Sequence, residues 1–511
     1  MPTNPLTPDQ QAAEAAFAAW LAQPADGTPF VLSGYAGTGK TFLSMRFLAL
    51  AEARSLCWTV AAPTHKAVGV LRGSLERAGL RPTWYPSTIH RLLRLKLRRE
   101  RDREQCEETA QTAAALEHLA LVLIDEASMV DSALLEIALR CAHPFRTRLV
   151  FVGDPAQLPP VGEPESPVFA MGRARSAQLT RVVRHQGAVL RLAAGLREGQ
   201  LPCRLPPVLP PVVTPLGRVA LLERGAWLVE AQAALREAAA SDDPDRARIL
   251  CYTNRSLERL VPIARRALHG AMADQLPVLP GEVLITRAAV MAPACRRGEE
   301  EGEEPDLLLG SNRELVVRDV TPERCDLADF GVGSGDGLAA PVIETLTAAV
   351  EAGEARFELR LLPPIGSRPR QELEGVLQRL REQARAAGRQ EGKSLWRRFF
   401  LVRDAFASLG PAAVLTVHRS QGSSFGEVFV EADVFRPHDE RLRRQLVYVA
   451  VSRARRGVVL AAGPGTAQER RRWGEWLAGG DGEAGTDARE ALRLFDSVSC
   501  ESAEQEEAGN R

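Results

Sequence analysis

The sequence predicts an α/β protein with two parallel sheets, each of which carries an insertion. Short apolar segments alternate with helical patterns up to about residue 184, and a similar alternation starts at residue 248. This second alternation is interrupted near Gly281 and resumes after Gly410. The length of 511 residues also exceeds what one hydrophobic core usually organises, so two to four domains are expected.

The first half opens with an amphipathic helical pattern over residues 8–24. An apolar strand, PFVLSG, then leads through a glycine-rich loop into a second helix, TFLSMRFLALAEA. Three further apolar strands follow, CWTVAAP, LALVLID and RLVFVGD, with a helix after Thr64. Strands that are apolar throughout are typical of a parallel sheet with helices on both faces.

Residues 91–118 interrupt this alternation with a strongly charged segment that begins RLLRLKLRRE. Apolar and charged residues alternate at its start, which favours a protruding hairpin. A solvated, charged helix is compatible with the same residues. The pattern alone leaves both interpretations open.

The second half begins after a proline-rich stretch, residues 201–215, which predicts an irregular linker. A strand at 248–254, RILCYTN, restarts the alternation, and residues 281–410 are the predicted insertion. Strand-like pieces, RELVVRDV and ARFELRLL, precede an arginine-rich helical end. The acidic run at 299–306 favours a solvated loop over a binding tail, and the last dozen residues have the composition of a disordered tail.

The composition narrows the class of protein. The net charge is zero and the pI is about 7.1, so nucleic-acid binding would depend on a local groove and not on bulk charge. The eight cysteines form no CxxC pair, which argues against a zinc module or a disulfide framework. The sequence lacks an apolar run of membrane-spanning length and a signal-peptide pattern, so a cytoplasmic protein is expected.

The glycine-rich loop after the first strand, Gly34–Thr41, reads GYAGTGKT and has the spacing GxxxxGK[ST]. In this spacing successive backbone N–H groups surround the phosphates of a nucleotide. Lys40 would supply a point charge to the β and γ oxygens, and Thr41 would offer its hydroxyl to Mg²⁺. Because the loop follows an apolar strand and opens a helix, the sequence predicts an ATP site here.

Further residues are expected to complete the ATP site. The strand LVLIDE ends in Asp125, expected to hold Mg²⁺ directly or through water, and Glu126, expected to polarise the attacking water. Gln157 follows the neighbouring strand in GDPAQLPPVG and could reach the γ-phosphate. Arg184 and Arg453 are candidates to enter from the second domain, since an arginine brought in on closure stabilises charge on the γ-oxygens.

The motifs taken together resemble a known family. GYAGTGKT, APTHKA, STIH, IDEAS, GDPAQLPPVG, VHRSQGSSF and YVAVSRA occur in the order of the superfamily 1 helicases, and the last four are most similar to the RecD/Dda-like branch, superfamily 1B. The resemblance covers most of the chain outside the insertion and the tail. One departure is Arg419, where lysine is common in the family.

The resemblance implies roles for individual residues. Gln10 would read the adenine, and Arg184 and Arg453 would be the two arginine fingers. The implied nucleotide-binding residues are Gln10, Gly37, Thr38, Gly39, Lys40 and Thr41. The implied strand contacts are Thr64, His65, Lys66, Thr88 and His90 in the first half, and Thr253, Asn254, His418, Ser420, Gln421 and Ser423 in the second.

The resemblance also implies a domain plan of two RecA-like P-loop motor domains. The first would span 1–90 and 119–184, interrupted by a pin at 91–118. The second would span 185–280 and 411–475, interrupted at 281–410 by a β-rich insertion that corresponds in position to an SH3-like module. Residues 476–511 would form a C-terminal tail.

The implied activity is that of a 5′-to-3′ single-stranded DNA translocase and DNA helicase that uses ATP and Mg²⁺. It would act on single-stranded and tailed duplex DNA in repair, recombination or replication, with proteins of those processes as further partners. One alternative is a motor subunit of an exonuclease complex that unwinds little alone. A non-catalytic nucleic-acid-binding scaffold is the other, but it would have lost catalytic residues, whereas Lys40, Glu126, Gln157 and Arg453 are present.

Overall fold

A computed structural model describes residues 6–100, 103–172, 174–181, 187–292, 307–333 and 341–478. By its contacts the chain divides into two compact units. The first comprises Met1–Lys96, Glu108–Leu268 and Ala413–Arg511, and the second comprises Leu97–Glu107 and His269–Ala412. The domain boundaries inferred from the sequence stay predictions.

The first unit contains a six-stranded sheet in which every neighbouring pair of strands is parallel. Its strands are β1 (Phe30–Gly34), β2 (Trp58–Ala62), β3 (Ser87–Thr88), β6 (Leu121–Ile124), β7 (Arg148–Gly153) and β8 (Arg175–Leu179), in the order β3-β2-β6-β7-β1-β8. The helices of this half are α1 (Pro8–Ala22), α2 (Lys40–Glu52), α3 (His65–Ala78), α4 (Ile89–Leu92) and α5 (Ser132–Ala142).

Both faces of this sheet are buried, which explains why its strands are apolar throughout. Along β1, Phe30 and Leu32 belong to one hydrophobic core and Val31 belongs to the other, as the two-residue period of a strand requires. The Phe17 ring of α1 stacks on Phe47 of α2, with 4.0 Å between the ring centroids. These contacts fix α1 and α2 around the loop that joins β1 to α2.

A second six-stranded sheet lies in the same unit and is mixed. Its strands are β9 (Leu209–Thr214), β10 (Gly217–Glu223), β11 (Ala247–Cys251), β19 (Val414–Thr416), β20 (Phe425–Val430) and β21 (Ala454–Ala462), in the order β19-β11-β20-β21-β10-β9. The helices of this half are α6 (Ala188–Arg197), α7 (Arg224–Ala240), α8 (Asn254–His269), α12 (Glu440–Ser452) and α13 (Ala467–Ala478). All pairs are parallel except β9 with β10.

The antiparallel strand β9 corrects one prediction. Its sequence, LPPVVT, belongs to the proline-rich stretch that predicts an irregular linker. The stretch forms a strand here because β9 lies at the edge of the sheet, where a residue without an N–H can face away from the ladder.

The charged segment 91–118 contains a hairpin and not a helix at its centre. Strands β4 (Lys96–Glu100) and β5 (Arg103–Glu107) form a two-stranded sheet. The sequence pattern leaves a hairpin and a charged helix both open, and the structure decides in favour of the hairpin.

The second unit is built around an antiparallel sheet, so the predicted β-rich insertion is confirmed, while its SH3-like character stays a prediction. The five strands are β12 (Val283–Thr286), β15 (Glu314–Asp326), β16 (Val342–Ala352), β17 (Ala355–Arg360) and β18 (Leu409–Pro411), in the order β17-β16-β15-β12-β18. Further elements are a small sheet of β13 (Val290–Met291) and β14 (Leu307–Leu309), the short α9 (Met272–Gln275), and the long helices α10 (Arg368–Ala386) and α11 (Arg389–Asp404).

The predicted α/β fold with two sheets, a hairpin and a β-rich insertion is thus confirmed. The acidic run at 299–306 and residues 479–511 of the tail lie outside the described residues. Within the described part, none of the helices combines the length and apolar character needed to cross a membrane.

Candidate functional site

The phosphate loop joins β1 to α2 at the carboxyl end of the first sheet. Gly37 and Gly39 have φ angles of 81° and 86°, the left-handed region that favours glycine. The Lys40 ammonium, at the first residue of α2, donates to the carbonyls of Gly34 (2.7 Å) and Tyr35 (3.0 Å). The positive charge and the N-terminus of a 13-residue helix therefore meet at one loop, an arrangement suited to phosphate.

Gln10 is buried behind this loop. Its Nε2 donates to the carbonyl of Thr38 (3.0 Å), and its Oε1 accepts from the N–H of Thr7 (3.1 Å) at the start of α1. A β-carbon on Gly39 would lie 2.6 Å from Gln10 Nε2, so a side chain at that position would displace the Gln10 amide. Gln10 thus ties α1 to the phosphate loop, and its reading of adenine stays a prediction.

The carboxylates of Asp125 and Glu126 follow β6 at the same end of the sheet. Burial and the neighbouring charge of Glu126 raise the pKa of Asp125 to about 7, and the charge of Lys40 acts in the opposite direction. Glu126 has a φ of 53°, which is strained for a residue with a side chain. Backbone strain of this kind clusters at functional sites, where the surrounding structure maintains it.

Residues of the second half complete the surroundings of the phosphate loop. The hydroxyl of Tyr448, a fully buried residue of α12, accepts from the N–H of Ala36 (2.9 Å) and donates to Asp154 Oδ2 (2.7 Å). Asp154 begins the loop that carries Gln157, and its Oδ1 accepts from the N–H of Ala156 (2.9 Å). One hydroxyl group therefore links α12 to both loops.

The loop that carries Gln157 has a buried acceptor and a further contact with the second half. The Oε1 of Gln157 is buried and accepts no hydrogen bond from the described part of the chain. Gln421 Nε2, from the second half, donates to the carbonyl of Leu158 (3.1 Å). The amide oxygen of Gln157 is thus a buried acceptor at a loop that both halves contact.

The Tyr448 hydroxyl gives a test of this linkage. Replacing Tyr448 by phenylalanine leaves the ring and removes both hydrogen bonds. Without these bonds the phosphate loop and the Asp154 loop are held less firmly against α12, so kcat for ATP hydrolysis is expected to fall about tenfold, which corresponds to ~1.4 kcal/mol in the barrier. Steady-state kinetics measure this loss. A thermal midpoint close to wild type with reduced kcat supports a positioning role, whereas an unchanged kcat contradicts it.

Sequence reasoning missed Tyr448 and Arg197. Tyr448 lies in an apolar run, YVAVS, and an aromatic residue there is typical of a core position. The Arg197 guanidinium, at the end of α6, lies 3.8 Å from the ring centroid of Tyr35 in the phosphate loop. In a chain so rich in arginine, the sequence alone offers no signal that singles out Arg197.

Of the two predicted arginine fingers, the structure describes Arg453, and Arg184 lies outside the described residues. Arg453, at the end of α12, is only 5% exposed and donates to the carbonyls of Val449 (3.2 Å) and Ser423 (3.2 Å). Its Nη2 also donates to Ser452 Oγ (3.0 Å). All these partners belong to the second half, so its contact with a nucleotide stays a prediction.

The predicted strand contacts of the first half lie where β2 and β3 end. The Thr64 and Thr88 hydroxyls cap the helices that follow, accepting from the N–H groups of Ala67 (3.2 Å) and Arg91 (3.4 Å). His65 and His90 are both half-buried. Burial lowers the pKa of His90, and the negative charge of Asp131 raises it by a smaller amount. His90 is therefore neutral at pH 7 and offers one donor and one acceptor.

Lys66 contacts the second half. Its ammonium pairs with Asp245 (3.2 Å) and lies 4.9 Å from the ring centroid of Phe425. A β-carbon on Gly422, whose φ is 72°, would lie 3.1 Å from Thr64 Oγ1. The segment after β19 thus packs closely against the start of α3, which brings together strand contacts predicted from distant parts of the sequence.

The predicted contacts of the second half divide by exposure. Asn254 is exposed, whereas the Thr253 hydroxyl donates to Asp433 Oδ2 (2.9 Å).

The predicted contacts that follow β19 are half-buried or buried. His418 is half-buried, burial lowers its pKa, and the centroid of its ring lies 6.1 Å from that of Tyr252. Ser420 is fully buried and donates to the carbonyl of Val417 (2.7 Å), so its hydroxyl holds the local backbone. Gln421 and Ser423 are buried as well.

Two family models match the chain. Residues 5–205 match an AAA domain, which includes the phosphate loop, Asp125, Glu126 and Gln157. Residues 411–461 match the UvrD-like helicase C-terminal domain, which includes Gln421, Tyr448 and Arg453.

Two of the similar proteins are described as ATP-dependent DNA helicases. The ATP-dependent DNA helicase dda of Enterobacteria phage T4 is 23% identical over 434 residues, which cover 83% of this chain and 92% of that protein. The ATP-dependent RecD2 DNA helicase of Deinococcus radiodurans is 33% identical over 175 residues, 34% of this chain and 22% of that protein.

Among solved structures, the Bacteroides Pif1 helicase in complex with ADP-AlF3 and single-stranded DNA is 15% identical with a TM-score of 0.44. The alignment covers 90% of this chain and 93% of that chain. Two Pif1 helicases at forked double-stranded DNA give 17% identity and a TM-score of 0.43, with 91% and 94% covered.

Proposed function

The chain belongs to the superfamily 1B helicases of the RecD/Dda-like branch, and we propose that it is an ATP-dependent DNA helicase that moves 5′ to 3′ along single-stranded DNA. The observation that carries this proposal is the Tyr448 hydroxyl, which bonds the phosphate loop and Asp154 from α12. A change at the nucleotide can thereby reach the second half through a direct hydrogen bond.

ATP and Mg²⁺ are the proposed cofactors. Thr41 and Asp125 would hold the metal, because hydroxyl and carboxylate oxygens are the ligands that Mg²⁺ prefers. The raised pKa of Asp125 fits this assignment, since a nearby cation would stabilise the buried carboxylate. When bound, the metal neutralises charge on the phosphates.

The chain's own groups then have distinct roles. Lys40 would bind the β and γ oxygens from the end of α2. Glu126 would orient and polarise the attacking water, and the buried Oε1 of Gln157 would accept a hydrogen bond from that water. Arg184 and Arg453 would stabilise the charge that develops on the γ-phosphate.

Coupling to the DNA strand would use the contacts between the two sheets of the first unit. Lys66 with Asp245, Gln421 with Leu158, and Gly422 against Thr64 all connect the halves beside predicted strand contacts. Closing and opening around ATP would alter these contacts, so that grip on the strand alternates between the halves. The direction of movement along the strand depends on which half binds DNA more tightly when ATP is bound and which does so after hydrolysis.

The 5′-to-3′ polarity and a role in repair, recombination or replication rest on the resemblance to the branch, and the proposed cytoplasmic location rests on the sequence pattern alone. The proposed substrates are single-stranded and tailed duplex DNA, and the proposed partners are proteins of the same processes.

Strand displacement tests the proposal. Duplexes with either a 5′ or a 3′ single-stranded tail are mixed with ATP and Mg²⁺, and Lys40→Ala is the control that lacks the phosphate-binding charge. Separation of the 5′-tailed duplex alone, abolished in the control, is expected. Separation of the 3′-tailed duplex alone contradicts the polarity. Single-strand-stimulated ATP hydrolysis without separation of either duplex would point instead to a motor subunit that depends on a partner.

A further inference from the structure

A cavity of about 380 Å³ lies beside the edge strand β3, outside the residues discussed as strand contacts. Its volume falls within the range of ~300–1,000 Å³ that is usual for ligand pockets. The lining residues are Trp84, Tyr85, Ser87, Arg91, Leu92 and Arg94. This set combines two aromatic rings with two arginines and includes no carboxylate.

The Tyr85 ring is both exposed and held in place. Several large apolar side chains are exposed in the described part of the chain, and Tyr85 is the aromatic residue among them. Its exposed fraction is 73%. The Arg72 guanidinium of α3 lies 5.2 Å from the centroid of the ring and donates to its hydroxyl. An exposed ring fixed in this way is available for stacking and would lose little conformational freedom on binding.

The backbone around the cavity is also anchored. Thr59 Oγ1, on β2, donates to the carbonyl of Trp84 (2.8 Å). On the other side, Thr109 Oγ1 and Thr112 Oγ1 donate to the carbonyl of Arg94 (3.1 and 3.3 Å). The cavity is therefore a built feature of this half and does not depend on a loop held only by solvent.

The cavity adjoins the edge of the sheet where the strand is expected to pass. Ser87 and Thr88 pair in parallel register with Ala61 and Ala62, at the end of β2. β2 leads directly to Thr64, and Thr88 leads to His90. The Ser87 side of the cavity is therefore next to the carboxyl end of β2, where ligands of parallel α/β sheets bind, while Trp84 lies beside Thr59, nearer the start of that strand.

We propose that this pocket binds an unpaired base of single-stranded DNA, with the Tyr85 ring stacked on the base and Arg91 and Arg94 placed toward the phosphates. This inference rests on the proposed function, since it assigns a further subsite to the same DNA strand. Aromatic faces accept any base, and arginines supply charge for the backbone, so the pocket would be tolerant of sequence. Because the net charge of the chain is zero, binding of nucleic acid depends on local groups such as these arginines.

The test measures binding of labelled single-stranded oligonucleotides by fluorescence anisotropy. Tyr85→Ala removes the stacking face, Tyr85→Phe keeps it, and Val213→Ala, at an exposed position of β9, is the matched control. A single abasic site is moved along the oligonucleotide to remove one base at a time. Thermal midpoints confirm that each variant is folded.

Stacking is worth a factor of about ten or more in Kd for each base, so Tyr85→Ala is expected to weaken binding about tenfold. Tyr85→Phe and Val213→Ala are expected to stay within about twofold of wild type. At one position, the abasic site is expected to weaken wild-type binding as much as Tyr85→Ala does and to cause no further loss in that variant.

Two results would overturn the pocket assignment. The first is a Tyr85→Ala variant that binds the oligonucleotide as tightly as wild type does. If Arg91→Ala binds more weakly in the same experiment, the arginine contacts a phosphate and no base stacks on Tyr85. The second is an additive loss at every abasic position in Tyr85→Ala. If wild-type protein opens tailed duplexes while Tyr85→Ala binds DNA normally, the pocket assignment fails and the proposed function stands. If wild-type protein binds no single strand, both fail.

Discussion

Replacing Glu126 by glutamine is expected to lower kcat for ATP hydrolysis by ~10²–10⁴-fold, the usual contribution of a positioned general base. Glutamine keeps the size and polarity of the side chain and removes the carboxylate that polarises water. The strained backbone of Glu126, with its φ of 53°, places this carboxylate directly after Asp125 at the end of β6. Nucleotide binding should persist because Lys40 and the loop N–H groups are unchanged.

Steady-state hydrolysis in the presence of single-stranded DNA measures the first effect, and equilibrium binding of a fluorescent ATP analogue measures the second. Glu354→Gln, in an exposed turn between β16 and β17, is the matched control and should behave as wild type. A Glu126→Gln variant that hydrolyses ATP at nearly the wild-type rate would assign the activation of water to another group.

The second large effect is expected at Arg453. An arginine finger contributes ~10³–10⁵-fold to the rate of phosphoryl transfer, so Arg453→Ala should reduce kcat by a factor in that range. Arg453→Lys should recover little of it, because a point charge does not reproduce the planar fork of donors. To reach the γ-phosphate, the guanidinium would have to exchange its bonds to Val449, Ser423 and Ser452 for bonds to the nucleotide.

Those bonds also define the competing explanation. If Arg453 only anchors α12, its loss would lower the thermal midpoint and leave kcat per folded molecule unchanged. Arg455→Ala, an exposed arginine two residues further on, controls for charge and should have wild-type kinetics. Hydrolysis rates and thermal midpoints of the three variants distinguish the two explanations.

The parts of the site that the sequence predicts are those set by local spacing. The phosphate loop needs glycines at positions with positive φ and a lysine at the start of a helix, and Gly37, Gly39 and Lys40 have these properties. Asp125 and Glu126 follow an apolar strand, and the carboxyl ends of neighbouring parallel strands meet at one edge. Periodicity of apolar residues similarly predicts both sheets, whereas for residues 91–118 it leaves a hairpin and a charged helix both open.

Contacts between distant segments carry no local signal. Ala36 and Tyr448 are 412 positions apart, and nothing in YVAVS indicates that its tyrosine reaches the phosphate loop. The pairing of Lys66 with Asp245 is of the same kind. Strand β9 was mispredicted because proline content indicates an irregular segment, whereas the tolerance of an edge strand for proline depends on the finished sheet.

The most direct test of ATP-driven, directional movement is the displacement of streptavidin from biotinylated single-stranded DNA, because it requires no duplex to be opened. Movement from 5′ to 3′ is expected to displace streptavidin from the 3′ end in an ATP-dependent way and not from the 5′ end, and Glu126→Gln is expected to displace it from neither. Displacement from the 5′ end alone, or from neither end while wild-type protein hydrolyses ATP on the same strands, would contradict it.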